Sequence, residues 1–393
     1  MADEVFRHDG YLSEFESEVT AVDGDKVVMN LTAFYPGGGG QVCDTGTING
    51  KRVTEVRYEG KEIVHIVPGN DFRPGMRVWC SLDWDRRFDL MMGHTGEHLL
   101  FCSLHREDPD LAITKIYISP EDKYVIVNHD VSWEKIRSAL AFANKAIRDN
   151  LTVRKTVMAR NDPDLAKVRI KLDRIPEDEE ITVVSIGDID YSACSGVHVQ
   201  ETSELGMLFV DRKVSAGRDG VAIHFKVGDA AADAAISLAA TCLEVIDETG
   251  SKPELVVKTV ANMKHNLEAA AEASKEAAKK GVGSLEPETV GGTAFYSGVF
   301  PGADRKVLAE AVEKLKAEGA VCAFIAVGET ANIMLGSGSP KVDCRKVLPK
   351  VLGMFGGRGG GKPDFAQGGI PDASKAAEAL EALKKEVAGL LEN

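Results

Sequence analysis

Short apolar runs broken by turn residues fill residues 1–85. Val27-Val28-Met29-Asn30-Leu31 and Lys61-Glu62-Ile63-Val64-His65-Ile66-Val67 read as strands, with Gly24-Asp25, Asn49-Gly50 and Glu59-Gly60 as turns. The pattern predicts a small antiparallel β-barrel over residues 1–85. From Asp89 to Leu104 the apolar positions recur at helical spacing. Residues 113–130 predict two strands around the Pro120-Glu121-Asp122 turn. Residues 133–148 predict an amphipathic helix, with Val131, Ile136, Leu140, Ala143 and Ile147 along one face. Strands return at 182–186, 206–210 and 221–227, so residues 86–228 predict an α+β unit around an antiparallel sheet.

Composition shifts at Gly228. Residues 229–280 are rich in Ala, Glu and Lys and are interrupted once, at Gly250-Ser251-Lys252-Pro253, which predicts a helical hairpin linker over 229–285. The span 293–338 reads strand, helix, strand, strand. A helix near 342–352, a glycine-rich loop over 355–369 and a closing helix over 373–391 complete a small α/β domain at 286–393. The whole is an α+β chain in four parts.

At 393 residues the chain has room for several domains of roughly 150 residues each, and its 44% hydrophobic content suffices for more than one core. The longest apolar run, at 320–327, is about half the roughly 18 residues a membrane span needs. The start, Met1-Ala2-Asp3-Glu4, lacks the basic and apolar stretches of a signal peptide. Seven cysteines, thinly spread, form no disulfide framework. These features predict a cytoplasmic chain with reduced thiols and no membrane partner.

The net charge of −14 argues against indiscriminate nucleic-acid binding, but the charge is uneven. From Glu134 to Arg174 there are eleven Lys/Arg against five Asp/Glu, and from Lys341 to Lys362 six basic residues against one acid. Each run suits a solvated helix face or a local nucleic-acid contact, and charge alone does not separate the two.

Three segments carry candidate chemistry. His94-Thr95-Gly96-Glu97-His98 sets two imidazoles at i and i+4, one face of a helix, close enough to share a cation. The same letters fit the His-x-x-Glu-His protease pattern, with Glu97 as general base. Cys194-Ser195-Gly196-Val197-His198 supplies a second pair of zinc-type ligands, and the two pairs would complete a tetrahedron. A Cys194–His198 nucleophile–base pair is the competing reading. Four protein ligands would close the site, so either one of them, with His198 the candidate, sits loosely, or the metal only positions the substrate. The third segment, Phe34-Tyr35-Pro36-Gly37-Gly38-Gly39-Gly40-Gln41-Val42-Cys43-Asp44-Thr45-Gly46, lets backbone approach a ligand closely. It lacks the ending of a nucleotide loop, and a plain turn explains it equally well.

In this order the three segments resemble the editing domain of alanyl-tRNA synthetase and its free-standing relatives. That family shows Phe-Tyr-x-x-x-Gly-Gly-Gln-x-x-Asp-Thr-Gly, His-Thr-x-x-His-Leu-Leu and Cys-x-Gly-x-His-Val, matched here at Phe34–Gly46, His94–Leu100 and Cys194–Val199. Gly359-Gly360-Gly361-Lys362-Pro363-Asp364-Phe365-Ala366-Gln367-Gly368-Gly369 looks like the signature of the synthetase's C-terminal domain. The resemblance runs from residue 20 onward and is to the long form of the alanyl-tRNA trans-editing family. It leaves no room for a class II aminoacylation domain ahead of the Gly-Gly-Gln segment.

The resemblance implies an ATP-independent, zinc-dependent aminoacyl-tRNA deacylase. Its substrate would be tRNA(Ala) mischarged with serine or with glycine. His94, His98, Cys194 and His198 match the family's zinc positions, with Zn²⁺ as cofactor. Thr32 matches a position that engages the serine hydroxyl, and Gln41 lies in the substrate pocket with Gly38, Gly39 and Gly40. The C-terminal domain implies tRNA contact by Lys341, Arg345, Lys346, Lys350, Arg358 and Lys362, and allows a homodimer. Two residues depart from the pattern. Cys43 reads as a bystander or an adventitious ligand, and Glu97 as a solvated helix residue or a base behind the ligands.

The need for such an enzyme is physical. An alanine pocket cannot strongly reject serine, which adds a hydroxyl, or the smaller glycine. A second site can read that hydroxyl, because a buried partner left unpaired costs about 1–3 kcal/mol. Zinc suits ester hydrolysis, by polarising the carbonyl or by activating water. Alternatives are an editing deacylase for another tRNA such as Ser-tRNA(Thr), a zinc protease, or a non-catalytic tRNA-binding factor. The Ala-Gln-Gly-Gly match speaks against the first. A protease would need an acidic third ligand, and the Asp-His-His motif of phosphoesterases sharing this C-terminal domain is absent.

Overall fold

The computed structural model describes residues 2–392 except 171, 173, 174, 176, 178 and 179. Contacts divide it into two units, residues 1–244 and 245–393.

The first unit opens with a seven-stranded antiparallel sheet. Its strands are β2 (Glu14–Asp23), β3 (Lys26–Met29), β5 (Gly46–Ile48), β6 (Lys51–Val53), β7 (Glu55–Glu59), β8 (Glu62–Ile66) and β9 (Arg77–Leu82), in the order β6-β5-β9-β2-β3-β8-β7. A short parallel pair, β1 (Asp3–Glu4) with β4 (Leu31–Thr32), lies outside it. Strand β2 alternates strictly over its first half: Phe15, Ser17 and Val19 are buried between exposed Glu14, Glu16 and Glu18. That half pairs with β9 and the second half with β3, and a register shift between Val19 and Ala21 bends the strand, so the sheet nearly closes.

Helix α1 (Trp84–Glu107) follows and is buried along most of Leu90–Leu104. Strands β10 (Ile113–Ile118) and β11 (Lys123–Val127) flank the predicted turn, and helix α2 occupies Trp133–Arg148. The Ser132 side chain caps α2 by accepting from the Lys135 N–H, and Ile136, Ala139, Ala143 and Ile147 form its buried face. Strands β12 (Val153–Met158), β13 (Ile181–Ile186) and β14 (Asp190–Ala193) make a three-stranded sheet. A four-stranded sheet in the order β10-β11-β16-β15 adds β15 (Leu208–Ser215) and β16 (Val221–Val227). One hydrophobic cluster runs from Phe15, Val19 and Phe34 through Leu99 and Ile136 to Phe225, so residues 1–85 and 86–228 share a core. Helix α3 (Gly228–Thr249) leaves this unit at the composition shift.

The second unit holds α4 (Val256–Gly283) and a six-stranded sheet in the order β17-β18-β19-β20-β22-β21. Its strands are β17 (Glu288–Val290), β18 (Thr293–Pro301), β19 (Val321–Val327), β20 (Ala331–Ser337), β21 (Arg358–Gly361) and β22 (Phe365–Ile370). β18 and β19 run parallel, joined by α5 (Arg305–Ala317), and the other neighbours are antiparallel. Helices α6 (Cys344–Met354) and α7 (Ala376–Leu391) pack on a second core with Val321, Ile325 and Leu335.

One expectation is corrected here. The glycine-rich stretch is not a loop but the hairpin β21–β22 at the sheet edge. Its glycines let two strands and a helix approach closely: a Cβ on Gly359 would stand 2.5 Å from the Gly368 Cα, and one on Gly368 would stand 2.3 Å from Leu352 Cδ1. Among the described residues no helix is long and apolar enough to cross a membrane.

Candidate metal centre

His94 and His98 lie one turn apart on the buried stretch of α1, and Cys194 and His198 follow β14 in the loop that faces it. Their ligand atoms all fall within 4.8 Å of one another. The Cys194 Sγ stands 3.3 Å from both His94 Nε2 and His198 Nε2. Gly196 makes this approach feasible, since a Cβ there would lie 2.2 Å from the His94 ring.

Each imidazole is held from behind by its other nitrogen. His94 Nδ1 meets Gln41 Oε1 at 2.7 Å, His98 Nδ1 meets Asp190 Oδ2 at 3.1 Å, and His198 Nδ1 meets Thr95 Oγ1 at 3.1 Å. An outer hydrogen bond at Nδ1 fixes ring and tautomer and leaves Nε2 for a metal. Asp190 is itself braced by the Ser192 hydroxyl at 2.8 Å and by Arg169 at 3.6 Å.

The charges fit a cation. Burial opposes ionisation of Cys194, but the neighbouring His94 and His198 overcome it and hold the thiol well below its ordinary range. Burial, reinforced by the charge of His94, pushes His198 down to about 3. For His98 burial also works downward, yet Asp190 and Cys194 outweigh it and lift the group to about 10. A thiolate with imidazoles is a borderline-soft donor set, and a bound cation takes the place of the proton on His98. The four residues therefore fit a metal. His94 and His98 are buried and Cys194 and His198 half-buried, so the open side of the cluster is the one that carries His198.

The Phe34–Gly46 segment reaches this centre by a tight turn. Gly37, Gly38, Gly39 and Gly40 have φ of 83°, 134°, 59° and 94°, a left-handed path that other residues resist. Gly38 and Gln41 exchange backbone hydrogen bonds of 3.0 and 2.9 Å, and the turn docks on β10 through Ile118 N to Gly40 O at 2.8 Å. Its far flank is tied by a buried ion pair between Asp44 and Arg87, whose Nε donates at 2.9 Å. Gln41 is 3% exposed, and its Nε2 has no hydrogen-bond partner. A buried donor left unmade costs about 1–3 kcal/mol, so Gln41 offers it to something that enters.

Thr32 is fully buried on β4. Its Oγ1 accepts from the Phe34 N–H at 3.1 Å and lies 2.9 Å from His65 Nε2. Since His65 Nδ1 faces the Val27 carbonyl at 3.1 Å, that nitrogen carries the proton and Nε2 accepts from Thr32. A hydroxyl so engaged can still accept one hydrogen bond, but it has no proton to give. Glu97 requires a correction: it is fully buried rather than solvated, and both carboxylate oxygens lack hydrogen-bond partners. Cys43 is no part of the cluster. Its Sγ accepts from Val56 N at 3.5 Å, so it is a bystander.

Comparisons with known proteins follow this layout. The family model of the threonyl and alanyl tRNA synthetase second additional domain matches residues 181–220, and the DHHA1 domain matches 291–389. The model for tRNA synthetases class II (A) matches 8–86, the segment that folds as the seven-stranded sheet. The alanine–tRNA ligase of Pyrococcus abyssi is 32% identical over 97% of this chain and 43% of its own length. This chain thus spans less than half the length of the ligases it matches. The alanyl-tRNA editing protein AlaX-L of Pyrococcus horikoshii is 29% identical, over 94% of this chain and 95% of that one. A solved C-Ala domain of Aquifex aeolicus alanyl-tRNA synthetase is 26% identical over 28% of this chain and all of its own, with a TM-score of 0.25. Over nearly all of its length, this chain is similar to a long-form alanyl-tRNA editing protein.

In that light the C-terminal cations divide. The Lys341 ammonium donates to the Leu391 carbonyl at 2.9 Å, Arg345 pairs with Asp343 at 2.8 Å and Lys350 with Glu386 at 2.7 Å. Lys346 and Lys362 have no ion pair among the described residues. Arg358 lines a depression of about 250 Å³ with Arg305, Gln367 and Gly368, and the charge pattern of 341–362 did not reveal Arg305. Sequence reasoning also missed Asp190, Arg87 and His65, while Lys155 fell within the basic run 134–174 without being picked out. Of the first three only Asp190 carried a local signal, four residues before Cys194. The basic stretch 135–174 is described except for Lys171, Asp173 and Arg174, which lie outside the described residues.

Proposed function

We propose that the protein is a trans-editing deacylase that removes serine from mischarged tRNA(Ala), with zinc held by His94, His98, Cys194 and His198. The observation that carries this reading is the convergence of three Nε2 atoms and one Sγ beside the unsatisfied Nε2 donor of buried Gln41. Zinc, when bound, supplies a Lewis acid suited to polarising an ester carbonyl.

The chain's own residues supply the rest. Gln41 orients His94 through Oε1 and presents its amide N–H to the ester, where it stabilises negative charge developing on oxygen. Thr32, its proton committed to His65, accepts from the seryl hydroxyl. Alanine offers no such donor and glycine none either, so the preference runs toward serine. The glycine turn brings backbone against the aminoacyl group, and His198 stands on the side where substrate enters. Of the C-terminal cations, Lys346, Arg358 and Lys362 are best placed for tRNA phosphates, with Arg305 added to them. The buried carboxylate of Glu97 stands 4.0 Å from His98 Nε2, beside the four residues rather than among them.

The test is deacylation of Ser-, Gly- and Ala-tRNA(Ala) and of Ser-tRNA(Thr), with and without a chelator. Serine is expected to leave tRNA(Ala) rapidly while alanine stays, with loss of activity on chelation and recovery with zinc. If zinc-loaded protein hydrolyses none of these esters, the deacylase reading falls and a tRNA-binding factor takes its place.

A further inference from the structure

A groove of about 230 Å³ opens beside the metal centre, with His198 and Gly196 in its wall and Arg7, Arg154 and Lys155 around it. Arg154 and Lys155 belong to the basic run 134–174, and Arg7 comes from outside it. Lys155 is half-buried on β12, on the strand face it shares with Val153, and its ammonium donates to the Gly196 carbonyl at 3.2 Å. Among the described residues no carboxylate pairs with Lys155 or with Arg154. Burial pushes the Lys155 ammonium down, the negative charge of the nearby Cys194 opposes that push, and the charge of Arg7 adds to it. Two like charges are thus held close together in one concave place. One of them is desolvated, with a single carbonyl to satisfy three N–H donors.

Such an arrangement awaits an anion. Arg7 is tied to Glu4 and to the Tyr58 hydroxyl, and Asp9 is the acid in the lining. Asp9 accepts from the Tyr11 N–H at 2.9 Å and makes no ion pair with Lys155, so Lys155, Arg154 and Arg7 outnumber the one acid of the groove. On a chain with a net charge of −14 this local reversal of sign marks where a polyanion can approach. The carbonyl that Lys155 holds belongs to the Cys194–His198 loop, so an anion on Lys155 sits next to the ligands.

We infer that this groove binds the phosphodiester backbone of a single-stranded RNA end, with Lys155 as the principal contact and Arg7 and Arg154 along the rim. The inference rests on the deacylase reading, and it places the terminal phosphates of the acceptor end where they deliver the aminoacyl ester to the open side of the cluster. Lys155 is here a binding residue and not a catalytic one.

The test has two arms. In the first, hydrolysis of Ser-tRNA(Ala) is compared with that of a seryl ester of adenosine, which carries no phosphate. Lys155→Gln should raise KM for the tRNA about tenfold and flatten the dependence of log KM on log salt by about 0.7 per phosphate lost. It should leave kcat on tRNA and hydrolysis of the nucleoside ester within about twofold, and Lys155→Arg should restore KM. A matched fall on both substrates would mean that Lys155 only supports the ligand loop, and unchanged KM would mean that the groove is not used; either overturns the inference.

The second arm needs no activity. It measures the affinity of the zinc-loaded full chain for a short fluorescent RNA with the acceptor-end sequence. Lys155→Gln should weaken this binding about tenfold. Were wild type to bind the RNA through Lys155 yet hydrolyse no ester, the deacylase reading would fall and the groove would stand. Complete displacement of the RNA by millimolar inorganic phosphate would mark a free-anion site and remove the assignment to RNA.

Discussion

Two glycine runs in this chain look alike as letters and do different work. Over Gly37–Gly40 all four residues have positive φ, and the run exists because the backbone must turn left-handed to set Gln41 against His94. In the second run only Gly356 has positive φ, and Gly359 and Gly361 are ordinary extended strand. They are glycine because β22 and Leu352 press on them: a Cβ at Gly361 would stand 2.3 Å from the Phe365 carbonyl. The first run is a dihedral requirement and the second a packing requirement. The flanks differ as well. The first is fastened by buried polar partners, Thr32 to His65 and Asp44 to Arg87, the second by strand pairing and the exposed pair of Asp364 with Lys316.

The sharpest test of that difference is a pair of alanine substitutions. Gly40→Ala adds a Cβ 2.6 Å from the Ile116 carbonyl at φ +94°, so both reasons for glycine coincide there. The turn must lift from β10 and take Gln41 off His94. Loss of an outer partner of a metal ligand costs about 10–100-fold, and with the added strain the upper end is expected for both deacylation and zinc retention. Gly359→Ala should instead lower the stability of the second unit and weaken tRNA binding, with zinc content and hydrolysis of a small seryl ester retained. Equal effects of the two on the small ester would break the comparison.

Gln41→Ala separates the turn from what it carries. The backbone stays, the Oε1 that orients His94 is lost, and so is the buried Nε2 donor. A loss of about tenfold or more in zinc affinity is expected, read by competition with a chromophoric chelator. Retained affinity with lost activity would assign Gln41 to the substrate alone.

The flank at Thr32 gives a pH signature. Burial holds the folded His65 at about 4, against an ordinary value of 6.5. Between those values the unfolded chain binds the proton and the folded one does not, so stability rises with pH across the window. The contribution is whole above about pH 6.5 and is lost as pH falls toward 4, about 3 kcal/mol in all. Denaturant unfolding of the first unit at pH 7 and 4.5 checks this, with His65→Asn expected to flatten the slope. An identical slope in the variant would place the acid sensitivity elsewhere.

Much of this was legible along the chain, and the reason is locality. The bounds of α2, the turn between β10 and β11 and the break before α4 follow from periodicity and breakers within a few residues. The four clustered His and Cys residues show because i, i+4 pairs are local too. What the chain hid is non-local. Asp190, Arg87 and Lys155 act on residues 92, 43 and 41 positions away, with no spacing to announce them. Glu97 read as solvated because a helix is assumed to keep one wet face, and α1 is buried across the turn that holds it. The β21–β22 hairpin read as a loop because glycine is a strand breaker by propensity, whereas packing overrules propensity at this sheet edge.

The smallest expected effect completes the comparison from inside the first run. Gly39 has φ +59°, yet a Cβ there meets nothing within 4 Å. Its glycine is therefore required by dihedral alone, in the one positive-φ region an L-residue can enter at a cost of about 1–2 kcal/mol. Gly39→Ala should lower stability by about 1 kcal/mol and leave zinc content unchanged, with serine release within about twofold of wild type. Gly39→Asn should cost less still, because asparagine tolerates that conformation. Should Gly39→Ala instead match Gly40→Ala in activity, the turn would be touching the substrate at Gly39, and the run would answer to a ligand as well as to its own backbone.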